Sequence, residues 1–191
     1  MDLKTKALSE GVPIIKDGTL EHLKGLIIKN SYRNILELGT AVGYSAIEMA
    51  RIDPLIHIDT IERDKERYEE ALRNIADEHL QDQIDVYLED IRELKLWHDY
   101  DLIFIDAAKA HYKEYLEMTI DHLVPYGTIV FDNIAFHGFV KDNSLTHNRH
   151  TLAMVKKMQA FLDYVQEDKR FDIMLNEDIG DGILEVRRKK S

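Results

Sequence analysis

Short runs of apolar residues recur along the chain and indicate strands that are buried on both faces. Unbroken runs rich in Ile, Leu, Val and Phe are typical of the parallel sheets of α/β proteins. The predicted strands cover residues 34–38, 56–61, 84–88, 100–105, 128–131, 171–175 and 183–187. An acidic turn that contains glycine, residues 176–182, joins the last two.

Between these runs, apolar residues return every three or four positions, which predicts amphipathic helices. In the segment 64–80, for example, Ala71 and Ile75 are four residues apart. The predicted helices cover residues 20–28, 44–51, 64–80, 111–123 and 151–164. Thr19 is the predicted N-cap of the first helix, and residues 125–127 (Pro-Tyr-Gly) predict a turn before the fifth strand.

The alternation of strands and helices implies right-handed crossovers and an open sheet. We therefore expect an α/β fold with a doubly wound, mostly parallel seven-stranded sheet and an N-terminal helical extension. A length of 191 residues corresponds to a single domain, residues 1–191.

Composition narrows the classes of protein that the chain can belong to. Its 25 Lys and Arg stand against 36 Asp and Glu, a formal net charge of -11. That charge argues against a surface covered in nucleic-acid contacts, although a local basic patch stays open. The sequence has no Cys, which excludes disulfides and thiolate metal sites. Because no apolar run approaches the ~20 residues of a membrane helix and the N-terminus lacks a secretory hydrophobic region, we expect a cytoplasmic protein without membrane contact.

A glycine turn follows the first predicted strand. Gly39 and Gly43 lie between this strand and a helix, where glycine lets a ligand approach the backbone closely. Glu62 ends the second strand, where an acid can accept hydrogen bonds from ribose hydroxyls. Glu37 would lie near a cationic end of such a ligand, and the spacing differs from the dinucleotide motif G-x-G-x-x-G. The alternative is that the glycines serve only the turn and that Glu62 is a solvated acid.

Oxygen-bearing side chains end the next two central strands. Asp106 follows one strand, and Asp132 and Asn133 follow the other, so the three could meet at one mouth of the sheet. Two carboxylates and an amide suit Mg²⁺ or Ca²⁺. Lys109 is three residues beyond Asp106, and a nearby dication would lower its pKa so that the neutral amine could accept a proton. The alternatives are capping roles for the acids and a surface pairing of Lys109 with an acid such as Glu114.

The string ILELGTAVGYSAIEMA, followed by IERD and then FIDAAK, resembles the metal-dependent O-methyltransferases of the catechol and caffeoyl-CoA type. The chain is also similar to the bacterial branch of this family that methylates 5-hydroxyuridine in the tRNA anticodon. The similarity extends from the segment Val-Pro-Ile-Ile at residues 12–15 to the last predicted strand. It implies a Rossmann-like methyltransferase fold, with S-adenosylmethionine and Mg²⁺ or another divalent cation as cofactors.

The resemblance assigns roles around the methionine part of the cofactor. Glu37 and Gly39 would approach the methionine tail, and Ser45 would help to hold its carboxylate. Ile15 would belong to an N-terminal segment that closes over this part, and Asp106 would touch the cofactor as well as the metal.

Further roles concern the adenosine part. By resemblance, Glu62 would bind the ribose, and Asp90 and Ile91 would line the edge of the adenine. The family's turn after the third strand more often reads Gly-Asp-Ala, whereas this chain has Glu89 before Asp90 and Ile91.

The resemblance also assigns roles to the oxygen-bearing residues at the ends of the two central strands. Asp106, Asp132 and Asn133 match the family's metal ligands. Lys109 occupies the position of the D-x-x-K motif to which catechol-type relatives assign the catalytic base.

A basic segment, residues 137–162, follows the last of these positions. It contains four cations, Lys141, Arg149, Lys156 and Lys157, against a single acid. We expect it to attract a phosphate-bearing acceptor, the tRNA anticodon loop, with Lys141 and Arg149 in contact with the substrate. The alternative is an ordinary solvated helix face.

Three further hypotheses stay open at this point. The acceptor could be a small catechol or other phenol instead of tRNA. From a different class, the chain could be a Rossmann-type oxidoreductase that places Glu62 on the ribose of NAD. The third hypothesis concerns assembly, namely that the protein forms a homodimer.

Overall fold

Strands and helices alternate along the chain in the structure, a computed structural model that describes residues 2–96, 98–135, 138, 140 and 148–189. The helices are α1 (Leu3–Ser9), α2 (Asp17–Asn30), α3 (Tyr44–Ala50), α4 (Lys65–Asp77), α5 (Tyr112–Thr119) and α6 (Arg149–Glu167). The strands are β1 (Asn34–Leu38), β2 (His57–Glu62), β3 (Ile84–Leu88), β4 (Tyr100–Ile105), β5 (Leu123–Phe131), β6 (Phe171–Asn176) and β7 (Ile183–Arg188). Short 3₁₀ turns cover Ile91–Glu93, Lys109–His111 and Ile120–His122.

The seven strands found in the described part of the chain form one sheet, in the order β3-β2-β1-β4-β5-β7-β6. Strands β1 to β5 pair in parallel, and β7 is antiparallel to both β5 and β6. In register, Leu38 lies beside Ile105, and Ile105 lies beside Phe131. The carboxyl ends of β1, β4 and β5 therefore meet at one edge, and the predicted doubly wound, mostly parallel sheet is confirmed.

Helices cover both faces of the sheet, which explains why the central strands are apolar without interruption. On one face, Leu23 of α2 and Ile47 of α3 belong to a buried cluster. On the other face, Leu116 of α5 and Met158 of α6 pack in a second cluster that contains Ile103 of β4. The two layers hold the strand ends in a fixed relation to one another.

The prediction that Thr19 caps the helix expected at residues 20–28 is wrong. This helix, α2, begins earlier, at Asp17, and Lys16 occupies its N-cap position. Thr19 lies in the first turn of the helix and is completely buried. Its hydroxyl donates to the carboxylate of Asp132 at 3.1 Å instead of capping its own helix.

The predicted turn at residues 125–127 lies inside a strand, because β5 already begins at Leu123. The pairing of β4 with β5 shifts register between Tyr100 and Leu102. Since the shift leaves several residues of β5 without a partner on β4, Pro125 fits into the strand despite its missing N–H.

Two helices differ in length from their predictions. Helix α5 ends at Thr119 and is continued on each side by a 3₁₀ turn, so it is shorter than the predicted 111–123. Helix α6 is longer than the predicted 151–164 and is capped by Asn148, whose side chain accepts from two backbone N–H groups. Within the described ranges, no helix has the length and apolar character that crossing a bilayer requires.

Candidate active site

A pocket of ≈ 470 Å³ opens at the carboxyl ends of β1 to β4. Open α/β sheets bind ligands at the point where the strand order reverses, which is between β1 and β4 here. The pocket is lined by Gly39, Ile61, Glu62, Arg63, Arg67, Asp90, Ile91, Arg92, Asp106, Ala107, Ala108, His111 and Tyr115. Five of the predicted site residues therefore lie together: Gly39, Glu62, Asp90, Ile91 and Asp106.

The turn after β1 requires a glycine at its first position. Gly39 has a φ of 111°, a conformation that L side chains rarely adopt. A Cβ at this residue would overlap the carbonyl oxygen of Asp106. The amides of Gly39 and Thr40 both donate to the carbonyl of Ile61 at 3.1 Å, so the turn lies against the end of β2.

Glu62 ends β2 inside this pocket, with only 8% of its surface exposed. Its carboxylate accepts from three backbone N–H groups, those of Ala41, Arg63 and Asp64, each at 2.9 Å. An ionised carboxylate offers about four acceptor positions, so a fixed and partly satisfied acceptor still faces the pocket. The backbone bonds hold this acid in place before any ligand arrives.

Glu37 lies behind the glycine turn and is completely buried. It accepts a short hydrogen bond from the Ser45 hydroxyl and a 2.6 Å bond from the Thr60 hydroxyl, which is itself 2.6 Å from the Thr40 hydroxyl. Burial raises the pKa of Glu37 to about 7, even though these hydroxyl donors oppose the rise. Glu37 and Ser45 contact each other and are not among the described residues that line the pocket.

Asp90 and Ile91 lie on the pocket wall that follows β3. The Asp90 carboxylate caps the 3₁₀ turn Ile91–Glu93 and forms a two-point ion pair with Arg92, at 2.7 and 3.0 Å. The guanidinium and the backbone N–H of Arg92 hold the pKa of Asp90 well below its usual range. The carboxylate at this wall is therefore ionised and turned towards Arg92.

One predicted residue, Ile15, is not among the described residues that line the pocket, whereas three residues that were not predicted do line it. Ile15 is buried in the core cluster that contains Leu23. Sequence reasoning missed Arg63, Arg67 and Tyr115, all of which line the pocket. Arg63 adjoins the β2 end and could have been found from its position, whereas the inward position of Tyr115 depends on how α5 packs.

The three oxygen-bearing residues of β4 and β5 do come together. The Asn133 side-chain amide donates to Asp106 Oδ1 at 3.0 Å, and the Asn133 backbone N–H donates to Asp132 Oδ1 at 2.7 Å. Asn133 has a φ of 57°, in the left-handed region that Asn tolerates better than most residues. The bend sets its backbone N–H towards Asp132 and its side chain towards Asp106.

Burial dominates the electrostatics of this acidic group. It raises the pKa of Asp106, and the nearby Lys109 opposes the rise. Burial and repulsion by Asp106 raise the pKa of Asp132 to about 6. Because close carboxylates resist ionisation together, a cation placed between them would favour the ionised form of both.

Two further side chains, which sequence reasoning did not assign to the site, contact Asp132. The Tyr112 hydroxyl donates to its backbone carbonyl at 2.8 Å, and the Thr19 hydroxyl donates to its carboxylate at 3.1 Å. Both side chains are buried. Neither has a local signal in the sequence, because each reaches Asp132 across the fold.

Lys109 begins the 3₁₀ turn Lys109–His111, directly beyond the Asp106 loop. Its positive charge lowers the pKa of both Asp106 and Asp132. Glu114, the alternative partner of Lys109, is 3.0 Å from the His111 ring. The electrostatic effect of Lys109 on both acids fits its predicted place near the site.

Comparison with known proteins assigns the family. Residues 12–189 match the model of a family described as O-methyltransferase. The chain belongs to this O-methyltransferase family. It is 34% identical to the crystal structure of a putative caffeoyl-CoA O-methyltransferase from Staphylococcus aureus, with a TM-score of 0.93 over 98% of this chain and 90% of that one. An O-methyltransferase from Bacillus cereus, solved in complex with SAH, shares the fold at 24% identity, with a TM-score of 0.81 over 96% of this chain and 88% of that one.

Among curated relatives, this member of the O-methyltransferase family matches a catechol O-methyltransferase from Niastella koreensis. The two are 36% identical over 121 residues, which are 60% of this chain and 55% of the relative. O-methyltransferase imqG of Aspergillus flavus is 30% identical over 80% of this chain and 66% of its own length. The chain thus spans less than two thirds of the length of both relatives.

The donor set at the β4 and β5 ends fits a hard cation. Asp106, Asp132 and Asn133 would offer two carboxylates and one amide oxygen, which Mg²⁺ binds well. The described residues contain no group of three His, Cys, Asp or Glu placed to hold a metal ion, so the amide would have to be the third ligand. Asn133 now turns its NH₂ to Asp106. A half-turn of the amide would exchange nitrogen for oxygen at the same place and present the oxygen as the third ligand.

Three of the four cations of the basic segment, residues 137–162, are among the described residues. Arg149 is exposed at the first position of α6, and Lys156 and Lys157 are exposed further along the same helix. Lys141 lies outside the described residues. Helix α6 contacts the 3₁₀ turn that begins at Lys109.

Proposed function

We propose that this protein transfers a methyl group from S-adenosylmethionine to a hydroxyl oxygen, with the help of a divalent cation. The observation that carries the proposal is the position of the pocket with its fixed Glu62 directly beside the group formed by Asp106, Asp132 and Asn133. The methyl donor and the hydroxyl that accepts the methyl group would then be bound side by side. The family assignment supports the same reaction class and argues against a Rossmann-type oxidoreductase.

The pocket residues would hold S-adenosylmethionine in parts. Glu62 would accept hydrogen bonds from the ribose hydroxyls, and Asp90 and Ile91 would line the edge of the adenine. Gly39, which lacks a side chain, would let the methionine part pass close to the turn. Glu37 would attract the α-ammonium from behind the turn. Ser45 would reach the cofactor's carboxylate only if its hydroxyl turned away from Glu37.

Ile15 and Asp106 would bound the methionine end of the cofactor. Ile15 precedes α2, and Asp106 lines the same pocket as Glu62. When bound, S-adenosylmethionine supplies a sulfonium whose methyl carbon is open to displacement by an oxygen nucleophile.

Asp106, Asp132 and Asn133 would hold Mg²⁺ or another divalent cation. When bound, this ion supplies Lewis-acid activation and a template for the acceptor oxygen. Asp106 lies both in the pocket wall and in this donor set, so the two binding regions share a boundary.

Lys109 would take the proton of the acceptor hydroxyl as a general base. The acceptor oxygen then forms its bond to the methyl carbon while the carbon–sulfur bond breaks, and the sulfonium becomes a neutral thioether. Alignment of the two reactants by the pocket and the acidic group can supply about 7–11 kcal/mol of the barrier reduction.

For the acceptor, we propose 5-hydroxyuridine at the wobble position of tRNA, methylated to 5-methoxyuridine. Support comes from the basic face of α6, including Arg149, in a chain whose net charge is -11. Lys141 would add to this face. Positive potential beside the site would hold phosphates of the anticodon loop while the base enters.

A small catechol or other phenol is the second candidate acceptor. It is favoured by the names of the relatives, which include a catechol O-methyltransferase and caffeoyl-CoA O-methyltransferases. Both candidates present an acidic hydroxyl beside another oxygen, which is the arrangement that a cation can chelate.

One experiment separates the two acceptors. Purified protein, S-adenosylmethionine and Mg²⁺ are incubated in parallel with tRNA that contains 5-hydroxyuridine and with catechol, and the methylated products are measured by mass spectrometry. Methylation of tRNA, together with loss of 5-methoxyuridine in a deletion strain, supports the tRNA proposal. Turnover of catechol alone would favour the small-molecule acceptor, and no methyl transfer to either would contradict the proposed function.

We also propose that residues 1–191 act as one domain, that the protein is cytoplasmic and that it assembles as a homodimer. Sedimentation of the purified protein checks the assembly, and cell fractionation checks the location.

A further inference from the structure

A threonine from the N-terminal half of α2 enters the acidic group. Thr19 is 0% exposed, and its hydroxyl donates to Asp132 Oδ1 at 3.1 Å. The two residues are 113 positions apart in the chain. A buried threonine could instead have satisfied its hydroxyl on its own helix, as Thr119 does by donating to the Tyr115 carbonyl at 2.7 Å.

Two glycines allow this contact. A Cβ on Gly18 would lie 3.3 Å from the amide nitrogen of Gly180, and a Cβ on Gly180 would overlap the Thr19 hydroxyl. Gly180 also has a φ of 61°, which favours glycine. The first turn of α2 and the β6–β7 turn are therefore in backbone contact, and this contact places Thr19 against Asp132.

The bond from Thr19 fixes the rotation of the Asp132 carboxylate. Oδ1 receives the Thr19 hydroxyl and also the backbone N–H of Asn133 at 2.7 Å. Two donors that reach one oxygen from different elements define the plane of the carboxylate.

We propose that Thr19 is a positioning residue, which holds the Asp132 carboxylate in the orientation that binds the divalent cation. This inference rests on the proposed function, because it gives Asp132 the role of a metal ligand. It adds a residue that is not among the described residues lining the cofactor pocket. Residues that orient metal ligands from behind typically change metal affinity or activity by 10–100-fold when they are replaced.

The test compares T19V, which removes the hydroxyl and keeps the shape, with T19S, which keeps the hydroxyl. T119V is the matched control, since Thr119 is an equally buried threonine whose hydroxyl bonds within its own helix. Mn²⁺ binding to each protein is measured by calorimetry without substrate, and kcat and KM for S-adenosylmethionine are measured at saturating acceptor. We expect T19V to bind Mn²⁺ roughly 10-fold more weakly and to lose kcat with an unchanged KM. T19S and T119V should both remain near wild type in Mn²⁺ affinity.

Equal Mn²⁺ affinity in wild type and T19V would overturn the proposal, as would a loss in T119V as large as that in T19V. If T19V does not fold, T19S and T19A form a second pair that differs only in the hydroxyl, and equal affinity within that pair overturns it as well. A wild-type protein that binds no Mn²⁺ also overturns it. A hydroxyl-dependent Mn²⁺ affinity without methyl transfer to any acceptor would instead contradict the proposed function and leave the role of Thr19 standing.

Discussion

Replacement of Glu37 by glutamine should remove a large part of the pH dependence of stability. Burial raises the pKa of Glu37 from its ordinary value of 4.5 to about 7, so the folded protein keeps a proton that the unfolded chain has released. In the window between pH 4.5 and 7 the folded state therefore binds more protons, and stability falls as the pH rises. A tenfold change in proton affinity is worth about 1.4 kcal/mol, so the whole loss is about 3 kcal/mol.

The assay is denaturant unfolding of wild type and E37Q at several pH values between 4 and 8. Glutamine can still accept from the Ser45 or Thr60 hydroxyl but carries no titrating proton. The stability of E37Q relative to wild type should therefore rise by about 3 kcal/mol across this range. Glu66, which is exposed on α4, supplies the control E66Q, expected to follow the wild-type slope. A difference between E37Q and wild type that stays constant with pH would refute the reasoning.

The same titration links Glu37 to the proposed cofactor. The α-ammonium of S-adenosylmethionine would favour the ionised carboxylate, so wild-type affinity for this cofactor should increase as the pH rises through about 7. Calorimetry at pH 6 and 8 measures the change. An affinity that does not vary with pH would place the ammonium away from Glu37.

The remaining predictions concern the cofactor, the cation and the acceptor. E62A should weaken S-adenosylmethionine binding by roughly 1.5–3 kcal/mol, because charged hydrogen bonds to the ribose are removed; tight NAD binding in calorimetry would contradict the assignment. Chelator should abolish turnover and Mg²⁺ restore it, whereas D132A should lose activity and keep its affinity for S-adenosylmethionine; full activity in excess chelator would remove the metal role. Neutralising Lys141 and Arg149 together should raise the KM for tRNA and reduce the log–log salt slope by about one for each phosphate that is no longer neutralised. Methylation of catechol by the double variant should hardly change, and the control variant K29Q should keep the wild-type KM for tRNA and the wild-type salt slope. An unchanged salt slope in the double variant would identify the segment as solvated surface.

Which pocket residues the sequence could predict, and which it missed, follows from how far along the chain each signal extends. Gly39, Glu62 and Asp106 were found because each directly follows or ends a buried strand, and the ends of parallel strands share one edge. Tyr115 and Arg67 were missed because they lie on helices, where a residue's direction depends on packing. The bond from the Ser45 hydroxyl to Glu37 was missed for the same reason, because it joins a helix to a strand.

The amino-acid pattern alone determined the class of fold and the edge of the sheet that carries the pocket. Apolar runs define buried strands by composition, and the alternation with helices leaves few ways to connect them. These signals are local in the chain or depend only on the order of elements. The glycine turn after β1 is also a local signal, because a positive φ there depends on the type of a single residue.

The tertiary structure alone decided which polar groups contact one another. Thr19 has the residue type of a helix cap, yet its hydroxyl bonds to Asp132, because Gly18 and Gly180 bring two distant segments into backbone contact. Glu37 has the position of an acid that could face a ligand, yet its carboxylate accepts hydrogen bonds from Thr60 of β2 and Ser45 of α3. A hydrogen bond needs its two partners within about 3 Å. Such a distance arises from strand register and helix packing together, and no periodicity along the chain records it.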